Sequence, residues 1–290
     1  MNKNHIVSGK TQIYAILGTP ISHSLSPIIH NTLFCYNNLD KIFLALNTDT
    51  NNLKLAIDAV RSFDIKGLSI TMPLKEEVVK YCDKLLPEAE IIGAVNCILN
   101  KNGTLVGYNT DCTGFSMSII NKVGVLPDRV FIFGAGGVGK AIAAELILKG
   151  VKKLFLTNRS IDKAENLRKR LEHLSKTEVE IIPWDKKSWN EGIKESDLII
   201  NCTSLGMYNN GNLADIVPWE LVRSNTLIYE TIYEPRETTL ISKARSLNLE
   251  VIEGINLLVY QAAAAYKIWT GLEPDINIIF KVAKASVYDN

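Results

Sequence analysis

Lys75 and Asp111 are groups that could move a proton, and the run Gly134-Ala135-Gly136-Gly137-Val138-Gly139 could hold an anion. The glycine run has a clear physical logic. Gly134 permits a tight turn off a strand, Gly136 lets the backbone approach a pyrophosphate, and Gly139 lets a helix pack hard against the strand. The N–H groups at the helix start then face the anion. The flanks supply the right context. An apolar run from Arg129 to Phe133 enters the turn, an alanine-rich helical segment follows and stops at Gly150, and a second apolar run from Lys153 ends in Asn158-Arg159-Ser160. That is a complete βαβ unit, and it points to a dinucleotide. An NAD site would usually end the second strand with Asp or Glu. Here that place holds Asn158 and Arg159, with Lys163 a turn later. Cations there favour a 2′-phosphate, hence NADP; the other reading is a solvated basic face. Residues 134–140 also begin like a phosphate-binding loop of nucleoside triphosphatases, but Ala141 stands where Ser or Thr would hold magnesium.

The proton-moving candidates sit in the first part of the chain. Ile13–Leu17 reads as a strand ending at Gly18. Ser26 before Pro27 marks a helix start, serine at the N-cap and proline at the first helical position. Ser24 and Ser26 flank Leu25, so in extended chain both hydroxyls point one way. They suit a carboxylate beside a helix N-terminus; as plain structure they are a turn serine and a capping serine. Lys41–Asn47 reads as a strand, followed by a helix to about Phe63 that Asp49 or Thr50 would cap. Gly67–Thr71 is another strand, and Met72-Pro73-Leu74-Lys75 starts a short helix to about Tyr81. Lys75 would then oppose the dipole of its own helix, which marks it as a functional candidate or a surface charge. Ala94–Asn100 and Thr104–Tyr108 flank Asn102-Gly103, a hairpin signal. Asp111 then precedes a helix to about Val123, as its cap or as a carboxylate beside a reacting group.

Composition narrows the function classes. At 290 residues there is room for two domains, and a net charge of +1 gives no general attraction for nucleic acid or an anionic membrane. The polar start from Met1 to Gln12 lacks the apolar centre of a signal peptide. Five scattered cysteines without a C-x-x-C pair read as reduced thiols in a cytoplasmic protein, and four histidines show no metal spacing. After Ser160 a helix runs to about Leu174, with Ala164, Leu167, Leu171 and Leu174 on one face. Apolar runs at Val179–Ile182, Leu198–Ile200, Leu227–Tyr229 and Val251–Ile252 bring the parallel strands to about six, the doubly wound arrangement. Thr203 sits at a strand's carboxyl end, where such folds bind ligands. Ile255–Trp269 is a long apolar helix carrying a single Gln261, and Asp275 starts a last helix.

Read together, Gly18-x-Pro20-Ile21-x-His23-Ser24-x-Ser26-Pro27, Thr71-x-Pro73-x-Lys75, Gly93-Ala94-Val95-Asn96 and Asn109-Thr110-Asp111 resemble the shikimate dehydrogenases. The resemblance continues through the glycine turn, Asn158-Arg159-Ser160, Asn201-x-Thr203-x-x-Gly206-Met207, Tyr229–Pro235 and Gln261, and spans nearly the whole chain. It implies an α/β fold of two domains: a Rossmann-type doubly wound parallel sheet over 113–253 that binds NADP, and a discontinuous substrate domain over 1–112 and 254–290. It implies reversible NADPH-dependent reduction of 3-dehydroshikimate to shikimate, on the route to aromatic amino acids. It implies Lys75 and Asp111 as the catalytic pair. It also implies that Ser24, Ser26, Thr71, Lys75, Asn96, Asp111, Tyr233 and Gln261 hold the substrate. Gly134, Ala135, Gly136, Gly137, Val138, Gly139, Asn158, Arg159, Ser160, Lys163, Thr203 and Gly254 would hold the cofactor. A monomer or homodimer acting on a small molecule, without metal, nucleic acid or membrane, completes the expectation.

The chemistry suits the pair. Hydride reduction of a ketone builds negative charge on oxygen, which an ammonium stabilises and protonates. Ser69, Lys163, Glu230, Asn256 and Leu257 depart from the family pattern, and these departures bear on substrate and cofactor preference more than on fold. Two other readings stand beside the main one. The first is a quinate/shikimate dehydrogenase using NAD or NADP. The second is an NADP-binding sensor without turnover, against which the presence of both Lys75 and Asp111 argues.

Overall fold

The computed structural model describes residues 7–207 and 210–288. Positions 1–6 of the polar start therefore lie outside the described residues. In chain order the elements are β1 (Gln12–Gly18), α1 (Ser26–Tyr36), β2 (Lys41–Asn47), α2 (Leu53–Ser62), β3 (Gly67–Ile70), β4 (Lys84–Leu85), α3 (Pro87–Ile92), β5 (Cys97–Lys101), β6 (Thr104–Tyr108) and α4 (Thr110–Val123). Then come β7 (Arg129–Phe133), α5 (Gly137–Leu148), β8 (Lys153–Thr157), α6 (Ile161–Leu171), β9 (Glu178–Ile182), α7 (Asn190–Glu195), β10 (Leu198–Asn201), β11 (Leu227–Glu230), α8 (Thr239–Ser246), β12 (Val251–Ile252), α9 (Ile255–Thr270) and α10 (Ile276–Tyr288). The chain divides into one unit of Met1–Thr110 with Val259–Asn290 and a second of Asp111–Leu258.

The first unit is built on a mixed sheet in the order β2-β1-β3-β5-β6-β4. β1 runs parallel to β2 and β3, whereas β5 is antiparallel to β3 and β6. The β5–β6 hairpin closes through Asn102 (φ 54°) and Gly103 (φ 87°), the two positive values that a twist-matched two-residue turn requires. Leu53, Ile57 and Val60 of α2 pack with Leu17, Leu68 and Ile70 in one core. Tyr14, Phe34, Phe43 and Trp269 form a second, aromatic packing group. Burying each such side chain fully contributes about 1.5–3 kcal/mol. α2 starts later than the capping signal suggested. Asp49 Oδ1 accepts the Asn52 N–H at 2.9 Å, so it closes the turn ahead of the helix.

The second unit is a six-stranded parallel sheet in the order β12-β11-β10-β7-β8-β9. Every strand pair in it is parallel. β7, β10 and β11 are buried along nearly their whole length, as expected for strands covered on both faces. This is the doubly wound arrangement read from the apolar runs, with the order reversing at β7. α6 ends at Leu171, one turn short of the expected end at Leu174. Phe131, Phe133, Phe155 and Trp189 fill one core of this unit. α9 ends at Gly271 (φ 73°), and Asp275 Oδ1 accepts the Asn277 N–H at 2.9 Å to start α10. Among the described residues no helix is long and apolar enough to cross a membrane.

Candidate active site

The glycine turn is held by its neighbours in the second unit. Gly134 leaves β7 at φ 103°, and a Cβ there would lie 2.9 Å from the Cys202 carbonyl oxygen. A Cβ on Gly139 would lie 2.1 Å from the Gly134 carbonyl oxygen, so only glycine lets α5 start this close to the turn. Gly136 differs. Its backbone is extended, and a Cβ would meet nothing within 4 Å. The protein's own packing therefore does not require glycine at 136, whereas close approach of a ligand would. The first N–H groups of α5 lack intrahelical acceptors, and no side chain caps them. Together these features fit a dinucleotide pyrophosphate.

Asn158 has a structural task at this turn. Its Oδ1 accepts the Ala135 N–H at 3.0 Å and its Nδ2 donates to the Ser160 carbonyl at 2.8 Å. It pins the glycine turn to the end of β8. Arg159, Ser160 and Lys163 are exposed beside it. Their cations and hydroxyl suit a 2′-phosphate, with Arg159 able to bind it bidentately and Lys163 as a point charge. Val138 is half-buried.

Thr203 follows β10 with its hydroxyl already engaged. It donates to Asn201 Oδ1 at 2.7 Å and accepts the Leu205 N–H at 3.0 Å. Its N–H also donates to Asn201 Oδ1 at 3.0 Å, so what Thr203 offers a ligand is its carbonyl and methyl group. Gly254 packs on the next loop, where a Cβ would lie 2.2 Å from the Ile232 carbonyl oxygen. Tyr233 is half-buried in that loop, and burial raises its phenol above the ordinary value.

In the first unit, strand direction gathers the other candidates. β1 and β3 are parallel, and Ser69 at the end of β3 lies opposite Cys97 at the start of β5. Cys97 in turn lies opposite Tyr108 at the end of β6. The loops carrying Ser24 and Ser26, Thr71 and Lys75, and Asn96 thus leave one end of the sheet. Gly18 makes the first two loops meet closely, since a Cβ there would lie 2.3 Å from Thr71 Cγ2. The Thr19 N–H donates to the Met72 carbonyl at 3.0 Å.

Two local expectations are corrected here. Leu25 is helical rather than extended (φ −84°, ψ −8°), and α1 starts at Ser26 with no side-chain cap. The two serines therefore do not share an extended face. Ser24 Oγ instead accepts the Ser26 N–H at 3.3 Å, and Ser26 is buried while Ser24 is half-buried. Lys75 is not in the first turn of a helix either. It lies in a turn ahead of a 3-10 segment at Glu77–Tyr81, so the dipole argument falls. Its carbonyl accepts the Val95 N–H at 2.8 Å, which fixes the Lys75 backbone next to the residue before Asn96.

Asn96 is buried, and its Oδ1 accepts both the Thr110 N–H at 2.7 Å and the Thr110 hydroxyl at 3.2 Å. Its amide Nδ2 is thus the group it can offer a substrate hydroxyl. Thr71 and Gln261 are half-buried. Asp111, 7% exposed, opens the second unit in the first turn of α4, where a carboxylate is favoured by the dipole.

The sequence marks Glu230 only as a departure from the family pattern, whereas the structure makes it a buried centre. Glu230 at the end of β11 is fully buried and accepts from Ile232, Asn201 and Thr238. Burial pushes its carboxyl up to about 7, against those donors. A Glu directly after an apolar strand is a usable signal, but its burial depends on loops far along the chain.

The chain matches three family models: the shikimate dehydrogenase substrate binding domain over residues 16–98, shikimate / quinate 5-dehydrogenase over 120–214, and the shikimate 5′-dehydrogenase C-terminal domain over 254–283. A shikimate dehydrogenase (NADP(+)) of Methanocaldococcus jannaschii is 37% identical over 276 residues, 94% of this chain and 96% of that one. Shikimate 5-dehydrogenase from Listeria monocytogenes, solved with shikimate and NAD, superposes with a TM-score of 0.91 at 29% identity, covering 95% of this chain and 97% of that one. The Thermus thermophilus enzyme, solved with NADP(H) and shikimate, gives a TM-score of 0.81 at 30% identity, covering 95% and 100%.

Proposed function

From the premise that this chain belongs to the shikimate dehydrogenase family, we propose that Lys75 and Asp111 handle the proton of its reaction. The reaction is the reversible, NADPH-dependent reduction of 3-dehydroshikimate to shikimate, in the biosynthesis of aromatic amino acids. NADPH supplies the hydride. The Lys75 ammonium stabilises the charge that develops on the carbonyl oxygen and returns a proton to it, and the Asp111 carboxylate orients the ammonium and the hydroxyl that forms.

The binding roles follow the same division. The substrate's carboxylate is held at the hydroxyls of Ser24 and Ser26 and its ring hydroxyls at Thr71, Lys75, Asn96, Asp111, Tyr233 and Gln261. The second unit holds NADP, its pyrophosphate at 134–139 and its 2′-phosphate at Arg159, Ser160 and Lys163. The observation that carries the reading is the arrangement of the first sheet. It sends the Ser24, Lys75 and Asn96 loops out at one end, with the Lys75 carbonyl bonded to the Val95 N–H. We place the enzyme in the cytoplasm as a monomer or homodimer, and its net charge of +1 supports no nucleic-acid partner.

The test is spectrophotometric reduction of NADP and of NAD with shikimate and with quinate. Turnover with shikimate and NADP is expected. Lys75→Ala and Asp111→Asn should each lower kcat by about 10²–10⁴-fold while NADP still binds. Unchanged kcat in Lys75→Ala removes the assignment of the pair. Turnover mainly with quinate or NAD would move the protein to the broader dehydrogenase.

A further inference from the structure

We propose that Glu230 is a positioning residue for the cofactor: its buried carboxylate clamps the loops after β10 and β11, which present Thr203 and Tyr233 at the carboxyl end of the second sheet. The inference rests on the NADP site assigned above to that end of the sheet.

A charge taken out of water persists only where hydrogen bonds replace the water. Glu230 Oε1 accepts the Ile232 N–H and Asn201 Nδ2, each at 3.0 Å. Its Oε2 accepts Asn201 Nδ2 at 3.2 Å and the Thr238 hydroxyl at 2.9 Å. Because both carboxylate oxygens draw on Nδ2, the Asn201 amide has one orientation, with Oδ1 turned away from Glu230. Oδ1 then accepts the Thr203 N–H at 3.0 Å and the Thr203 hydroxyl at 2.7 Å. Thr203 Oγ1 accepts the Leu205 N–H at 3.0 Å, which closes the turn. The Thr231 hydroxyl donates to the Asn201 carbonyl at 2.7 Å and ties the two loops again. Thr238 Oγ1 accepts the Ile241 N–H at 3.4 Å and so links the carboxylate to the start of α8.

The consequence is directional. Above about pH 7, where Glu230 is ionised, its acceptor-only carboxylate holds the Asn201 amide, and the amide holds the Thr203 turn. An amide at 230 would bring a donor of its own among these donors and leave Asn201 Nδ2 with the Leu205 carbonyl, at 3.0 Å, as its remaining acceptor, which loosens the Thr203 turn. The Ile232 N–H held by Glu230 lies next to Tyr233, and the Ile232 carbonyl is the group on which Gly254 packs. The carboxylate thus holds three of the residues assigned to substrate and cofactor without touching either ligand.

The experiment compares Glu230→Gln, Glu230→Asp and Thr238→Val with the wild-type enzyme. KM for NADP, KM for shikimate and kcat are measured by steady-state kinetics, and NADP affinity by fluorescence titration. Glu230→Gln should raise KM and Kd for NADP about tenfold and raise KM for shikimate, through Tyr233, by clearly less. Glu230→Asp should recover part of that loss, because the acceptor is restored. Thr238→Val, which removes one donor only, should give a smaller change of the same sign and serves if Glu230→Gln does not fold. Unchanged NADP affinity in folded Glu230→Gln or Thr238→Val, whatever their thermal stability, would overturn the proposal and leave Glu230 a purely structural residue. Equal rises in both KM values would overturn it too. Wild-type protein that fails to bind NADP at all would instead strike the cofactor assignment on which the proposal stands.

Discussion

His30 in the first unit and Glu230 in the second are both ionisable and both buried, and they are housed in opposite ways. His30 is packed among rings: Phe43 stacks on it at 4.7 Å and Trp269 meets it edge-on at 4.9 Å. Its Nδ1 has no hydrogen-bond partner. Burial drives its pKa down to about 3, so it is held neutral. Glu230 is surrounded by donors, yet burial still pushes it up to about 7; burial, and after it the Glu230 charge, also raises the nearby Cys202 thiol. The difference teaches that a buried polar group can be a packing element or the centre of a hydrogen-bond relay. The two respond to pH with opposite sign.

For His30 the unfolded chain binds a proton below about 6.5 that the folded chain refuses until about 3. Its contribution is therefore complete above that range and is lost as pH falls through it, up to about 5 kcal/mol in all. His30→Leu should remove this acid limb from a plot of unfolding free energy against pH. A limb as steep in the variant as in the wild type would place the acid sensitivity elsewhere. For Glu230 the folded chain keeps a proton between about 4.5 and about 7 that the unfolded chain has lost. Stability therefore declines as pH rises across that window, by about 3 kcal/mol. Glu230→Gln should flatten that window and leave the His30 limb in place, as read by denaturant melts at closely spaced pH values.

A smaller effect separates the two buried asparagines. Asn96 and Asn201 each turn Oδ1 to the backbone N–H and hydroxyl of a threonine, Thr110 and Thr203. Only Asn201 also donates to a carboxylate. Asn96→Ala should cost about 1–3 kcal/mol, and Asn201→Ala more, because it strips donors from a buried charge as well. Equal losses would mean that the carboxylate finds other donors. The smallest effect belongs to exposed Arg159. Arg159→Ala should leave both pH limbs unchanged and weaken NADP by about tenfold with little change for NAD. An equal loss for both nucleotides would remove the 2′-phosphate assignment.

The βαβ unit was legible because its determinants are local. Gly139 packs on Gly134 and Gly150 turns the chain where it stands, and the structure places strands and helix where the pattern put them; the approach of Cys202 to Gly134 is the part that is not local. The hairpin at Asn102-Gly103 was legible for the same reason. Ser24, Ser26 and Lys75 were found as candidates, but the arguments from an extended chain and from a helix dipole failed. Leu25 is helical, and Lys75 precedes a 3-10 segment, in two loops that the bond from the Thr19 N–H to the Met72 carbonyl ties together across the chain. Asn158 was read as facing the ligand, whereas its amide also holds the Ala135 N–H.

By itself the sequence determined most strands and helices, though not β4 or α3, together with the glycine turn, the basic end of β8 and the choice of Lys75 and Asp111 as candidates. These follow from side-chain type and spacing over a few residues. Only the tertiary structure decided that Glu230 is buried, that Asn201 and Asn96 have one amide orientation, and that His30 stays neutral. Thr110 reaches Asn96 from 14 residues on, Asn201 reaches Glu230 across 29, and Trp269 packs on His30 from the far end of the chain. Desolvation is a property of that assembled surrounding rather than of any residue in it.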